Sequence, residues 1–130
     1  MSDINDPDVP SEGQFLIYQA EDGRLKLDVR LEDETVWLSQ QHMAELFQTS
    51  RQNVTLHIKT IYEEGELDSA ATRKKFLLVR REGSREVKRE IEFYNLDMII
   101  SVGYRVKSAV ATRFRIWATD KVRYSETRGV

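Results

Sequence analysis

The residues best placed to do chemistry are the polar run Ser50-Arg51-Gln52-Asn53, followed by Thr55, Leu56 and Lys59. Their chemistry is that of hydrogen-bonded recognition. Gln and Asn make bidentate hydrogen bonds to adenine edges, Arg reads guanine, and an exposed Leu meets a thymine methyl. Ser50 and a helix N-terminus can instead hold a phosphate. A second group of cations, Arg81, Arg85, Lys88 and Arg89, suits phosphate oxygens. Each group also has a plainer reading, as a solvated helix face and as a charged strand edge that discourages aggregation.

Catalysis finds much less support. The two histidines, His42 and His57, do not have the spacing of a metal pair. No GxSxG, Walker-type glycine loop or dinucleotide fingerprint occurs, and with no cysteine there is neither a disulfide nor a thiolate metal site. Ser101-Val102-Gly103-Tyr104 reads as a helix end rather than a nucleophile turn. The expectation is a protein without a catalytic site, metal or cofactor.

The elements that must position these side chains follow from periodicity. Residues 15–19 read as a strand, and Glu21-Asp22-Gly23 as a turn. Leu25, Leu27, Val29 and Leu31 then alternate with Lys26, Asp28 and Arg30, as in a half-buried strand. Glu32-Asp33-Glu34 turns the chain into an extended piece ending at Trp37. Ser39 is placed to cap a short helix carrying Met43, Ala44, Leu46 and Phe47, with Leu38 as a hydrophobic staple. Gln48-Thr49 breaks it, Ser50 caps the next, and Val54, Ile58, Ile61 and Tyr62 line one stripe of that second helix. Residues 75–81 and 90–94 are β-prone, joined by a polar loop over 82–89. Two helices close the pattern. One is capped by Asn95 and ends near Gly103, and the other is capped by Ser108 with Val110, Phe114 and Trp117 buried.

Charge is unevenly spread. Residues 1–50 sum to −8 and residues 51–130 to +6, although the whole chain carries only −2. That asymmetry suits one face for an anionic partner and another that repels it. Residues 1–13, acidic and carrying Pro7 and Pro10, read as a disordered leader rather than a secretory signal. No apolar run is long enough to span a membrane, so a cytoplasmic protein is expected.

Several stretches resemble the bacterial RhuM virulence protein family. They are Asp28-Val29-Arg30-Leu31, Thr35-Val36-Trp37-Leu38, Met43-Ala44-Glu45-Leu46-Phe47, Glu64-Gly65-Glu66-Leu67, the run from Tyr94 to Val106, and Phe114-Arg115-Ile116-Trp117-Ala118. The likeness spans about Gly13 to Ala118. It implies a DNA-binding role and kinship with phage antirepressor-type N-terminal domains. Family members often carry Arg where this chain has Leu56, and usually continue into a helical C-terminal region, so this chain reads as a domain or a short variant.

The expected architecture is therefore α+β: a winged helix-turn-helix with an N-terminal β-hairpin, a basic β-hairpin wing and two C-terminal helices. Residues 1–13 form the leader, 14–119 the domain and 120–130 a frayed tail. The expected function is double-stranded DNA binding by a transcription regulator, through Ser50, Arg51, Gln52, Asn53, Thr55, Leu56 and Lys59 on the helix and Arg81, Arg85, Lys88 and Arg89 on the wing. The alternative is an antirepressor-like module that has lost DNA affinity and binds a repressor or other protein. A homodimer fits paired half-sites. Arg73, Lys74, Arg80 and Arg81, with Arg85, Lys88 and Arg89, are expected on the side of the exposed helix face, with Glu32-Asp33-Glu34 elsewhere.

Overall fold

The computed structural model describes residues 14–20 and 22–128; the leader expected over 1–13 lies outside them. Five strands form one antiparallel sheet in the order β1-β2-β3-β5-β4. They are β1 (Gln14–Gln19), β2 (Lys26–Glu32), β3 (Thr35–Ser39), β4 (Arg73–Glu82) and β5 (Arg85–Asn95). Between β3 and β4 lie α1 (Gln40–Phe47), α2 (Arg51–Glu63) and a short α3 (Ser69–Thr72). After β5 come α4 (Leu96–Val106) and α5 (Ser108–Arg128). The α+β class holds. The one-turn α3 has no counterpart in the sequence reading; its Thr72 hydroxyl accepts from the Tyr62 phenol at 2.8 Å and donates to the Asp68 carbonyl at 2.8 Å.

Strand alternation divides the sheet into two faces. The helix-side face carries Leu16, Tyr18, Leu27, Val29, Leu31, Val36, Leu38 and Tyr94, which join the apolar faces of α1, α2, α4 and α5 in the main core. Val54, Ile58, Phe47 and Phe114 are buried as expected. Trp117 is only partly so: it packs edge-on against Tyr18 of the outermost strand, ring centroids 5.1 Å apart, with no further described strand beyond to cover it.

The opposite face has its own small core, where alternation alone predicts solvent. Trp37, Phe76 and Phe93 pack edge-to-face there, at 5.8 and 5.2 Å. Against them lies Arg30, only 2% exposed, its guanidinium carbon 4.0 Å from the Phe76 ring centre. Arg30 Nε and Nη2 donate to Glu32 Oε1 at 3.2 and 2.9 Å. Nη1 is buried with no hydrogen-bond partner, so the ring face is its compensation. Burial pushes the Glu32 carboxyl up, but hydrogen bonds from Lys74 and Arg30 outweigh it and hold the group below its ordinary value of 4.5. A carboxyl depressed in the folded state contributes stability that is complete above the unfolded value and is lost as pH falls through the folded one. Acid melting curves should therefore show a limb below pH 4.5 that is shallower in Glu32→Gln; an unchanged limb would mean the pair does not couple to folding.

Three boundaries differ from the sequence reading. The polar loop expected over 82–89 is a two-residue turn, because the ladder runs on to Glu82↔Arg85 with positive φ at Gly83 alone of the turn residues, the type II′ pattern. The helix expected to close at Gly103 continues to Val106, with Gly103 buried inside it. The last helix reaches Arg128, although its apolar pattern fades after Ala118.

Candidate nucleic-acid interface

Ser39 caps α1, its hydroxyl accepting from the His42 amide at 3.2 Å, and Ser50 caps α2 by accepting from the Asn53 amide at 3.0 Å. Gln48 ends α1 in the left-handed conformation, φ 54° and ψ 51°, with the Thr49 amide bonding back to the Ala44 carbonyl at 3.0 Å. A glycine relieves the Cβ strain of that position. Gln48→Gly should raise stability by about 0.5–1 kcal/mol, since the side-chain hydrogen bond it removes, from Lys107 at 2.9 Å, is exposed. Thermal melting would check this; a lower melting temperature would show that the Lys107 bond outweighs the backbone strain.

Val54, Ile58 and Ile61 pin α2 to the core, which turns Arg51, Gln52, Thr55, Leu56 and Lys59 outward. Leu56 is 58% exposed. Not all of these side chains are equally available. The Thr55 hydroxyl lies 2.7 Å from Gln40 Oε1 and 3.0 Å from the Arg51 carbonyl. The half-buried Asn53 donates its amide to Thr49 Oγ1 at 2.9 Å. Both are thus engaged within the protein. Arg51, Gln52 and Lys59 make no side-chain hydrogen bond or ion pair to the described residues.

Sequence spacing does not single out Gln40 or Tyr94 as site residues, yet they join the elements here. Gln40 Nε2 donates to the Tyr94 hydroxyl at 3.0 Å, while its Oε1 accepts from Thr55. Tyr94 in turn donates to Glu92 at 3.1 Å. Burial raises the Tyr94 phenol above its ordinary value, against the hydrogen bond from Gln40, so it remains a protonated donor near neutral pH. One polar chain thereby fixes α1, α2 and β5 together. No spacing rule connects positions 40, 55 and 94.

The β4–β5 hairpin projects from this frame. β3 reaches only Phe93 of β5, and no residue between 77 and 90 is buried. The six pairs from Leu77↔Glu90 to Glu82↔Arg85 make an arm of roughly 20 Å. Where the arm leaves the helices, Ser39, Gln40, Gln41 and Arg51 line one side of a groove and residues 89–92 the other, bringing Arg51 and Arg89 to the same depression.

The expectation that seven basic residues share the helix side is corrected by the pleat. Registers put Arg73, Arg81 and Lys88 on the helix-side face of their strands, and Lys74, Arg80, Arg85 and Arg89 on the other. The acidic cluster is not remote either, because Lys74 Nζ donates to Glu32 at 2.8 Å and Asp33 at 3.0 Å. Glu90 and Glu92 also line the groove beside Arg51 and Arg89. Among the described residues no three acids or histidines gather as a metal site, and no helix is long and apolar enough to cross a membrane.

Fold and site together define an α+β domain with a capped helical pair beside a projecting basic hairpin. Residues 71–130 match the family model of the Virulence protein RhuM family. The match covers β4, β5, α4 and α5, and leaves α1 and α2 outside it. Comparison with curated proteins and with solved structures gave no match.

Proposed function

We propose that this chain binds double-stranded DNA as a winged helix-turn-helix transcription regulator. In this reading α2 enters the major groove, with Arg51, Gln52, Leu56 and Lys59 towards the bases and Ser50 at a phosphate. The β4–β5 hairpin is the wing, its Arg81, Arg85, Lys88 and Arg89 following the backbone. The observation that carries the reading is the groove that Arg51 of the capped helix shares with residues 89–92 of the hairpin. Thr55 and Asn53 serve mainly to hold the helix in register, since the Thr55 hydroxyl and the Asn53 amide nitrogen are already bonded within the protein.

Titrating a selected site and a random duplex at two salt concentrations tests this. Replacing Lys88 and Arg89 by Ala should weaken both duplexes alike. It should also lower the slope of log affinity against log salt by about 0.9 for each phosphate no longer neutralised. Gln52→Ala should cost about 1–3 kcal/mol on the selected site alone. A wild-type slope in the wing variant would make the hairpin a charged edge. A second reading, a repressor-binding module, is favoured by one observation: Glu90 and Glu92 share the groove with the arginines, where they would repel phosphate. Failure of the wild-type chain to bind either duplex at low salt would select it.

A further inference from the structure

The sheet ends in two edges that differ sharply. β4 carries Arg73, Lys74, Lys75, Arg80 and Arg81 along its length, which opposes pairing with a copy of itself. β1, Gln14-Phe15-Leu16-Ile17-Tyr18-Gln19, has no charge and no proline. Ile17 is 64% exposed, the highest value among the large hydrophobic side chains of the described residues.

Among the described residues, no strand pairs with the outer side of β1. The Ala20 amide bonds to the Leu25 carbonyl at 2.9 Å, so Ala20↔Leu25 is a hydrogen-bonded pair. Alternation then makes 18↔27 and 16↔29 hydrogen-bonded pairs as well. The amides and carbonyls of Phe15, Ile17 and Gln19 consequently point away from β2, to that outer side.

We propose that the β1 edge is a self-pairing surface on which a second copy of this chain docks antiparallel, about a two-fold axis through Ile17. A continuous antiparallel sheet requires facing residues to lie on the same face, so their numbers must sum to an even value. Centring on Ile17 uses all three outward-pointing residues: Ile17 pairs with the same residue of the other copy, and Phe15 with Gln19. Leu16 then faces Tyr18 on the helix side and continues the apolar core across the joint. Absence of charge is what such an interface needs, because a two-fold axis sets like against like. The partly exposed Trp117, lying over Tyr18, gains cover from the same union.

The test uses the full chain, by light scattering after size exclusion across the micromolar range. Dimer is expected, and Ile17→Lys should raise the dissociation constant at least about tenfold. Its own hairpin should tolerate the change, because Asp28 stands opposite. A chain that stays monomeric throughout, or a dimer unaffected by the lysine, would overturn the proposal. Should circular dichroism find Ile17→Lys misfolded, Ile17→Cys decides, since the chain has no other cysteine. A short bismaleimide should link it into dimers far faster than Leu77→Cys on the hairpin. Equal rates would overturn the proposal.

Discussion

Gly103→Ala should destabilise the domain severely, although alanine is intrinsically the better helix former by about 0.8–1 kcal/mol. A Cβ at this position would lie 2.5 Å from Phe47 Cζ and 2.6 Å from the Ala111 methyl. Neither neighbour can yield cheaply, because Phe47 is fully buried at the end of α1 and Ala111 is fixed in α5. The expected loss is about 3 kcal/mol, at the upper end for overpacking, which lowers the melting temperature by on the order of 10 °C. Phe47→Leu in the same chain should recover part of that loss by opening room for the methyl. Were Gly103→Ala as stable as the wild type by urea unfolding, the close approach of α4 to α1 would be wrong. The position also bears on the proposed recognition: Phe47 immediately precedes the turn that sets α2, so if the chain binds DNA as proposed, a displaced ring should weaken that binding beyond the loss of folded protein.

The second large effect is an asymmetry at the buried ion pair. Glu32→Ala should cost an amount towards the low end of the ~3–5 kcal/mol typical when one partner of a buried pair is removed. It leaves Arg30 among Phe15, Phe76 and Trp37 without its carboxylate. Arg30→Met should be far milder, since an apolar chain suits the aromatic surroundings and Glu32 keeps Lys74 as its partner. Urea unfolding of the two variants separates the contributions. Equal losses would mean that stacking of the guanidinium on Phe76, and not the ion pair, is what Arg30 supplies.

The legible parts of the fold are those where a repeat meets a buried face. Val54, Ile58 and Ile61 recur at helical spacing, and Leu27, Val29 and Leu31 at strand spacing, so α2 and β2 can be read directly. Arg30 cannot. Alternation places it opposite the main core, and its burial arises from Phe15, Phe76 and Trp37, which only the strand order brings together. The hairpin tip misleads for the converse reason: an arm exposed on both faces has no apolar alternation to reveal strand, so its charges imitate a loop. Gly103 imitates a helix end because glycine often is one, whereas here the missing side chain serves close packing. Of the candidate site, the outward residues of α2 can be named from sequence. That Thr55 and Asn53 are already bonded within the protein cannot, since Gln40 reaches Thr55 only once the two helices have docked, and Thr49 reaches Asn53 only across the turn between them.

The pairing of β3 with β5 sets the order of assembly. Trp37↔Asn95 and Leu38↔Tyr94 join segments separated by both helices of the site and by all of β4, whereas β1–β2–β3 and β4–β5 are built from neighbouring hairpins. Hairpins close on microsecond timescales, but a pairing across so long a stretch must first meet the entropy of closing it. The central seam should therefore zip last, after its two flanking ribbons have formed. Truncations at Leu38 or Tyr94 would then accelerate unfolding more than they slow folding, and a chevron plot would register them on its unfolding limb.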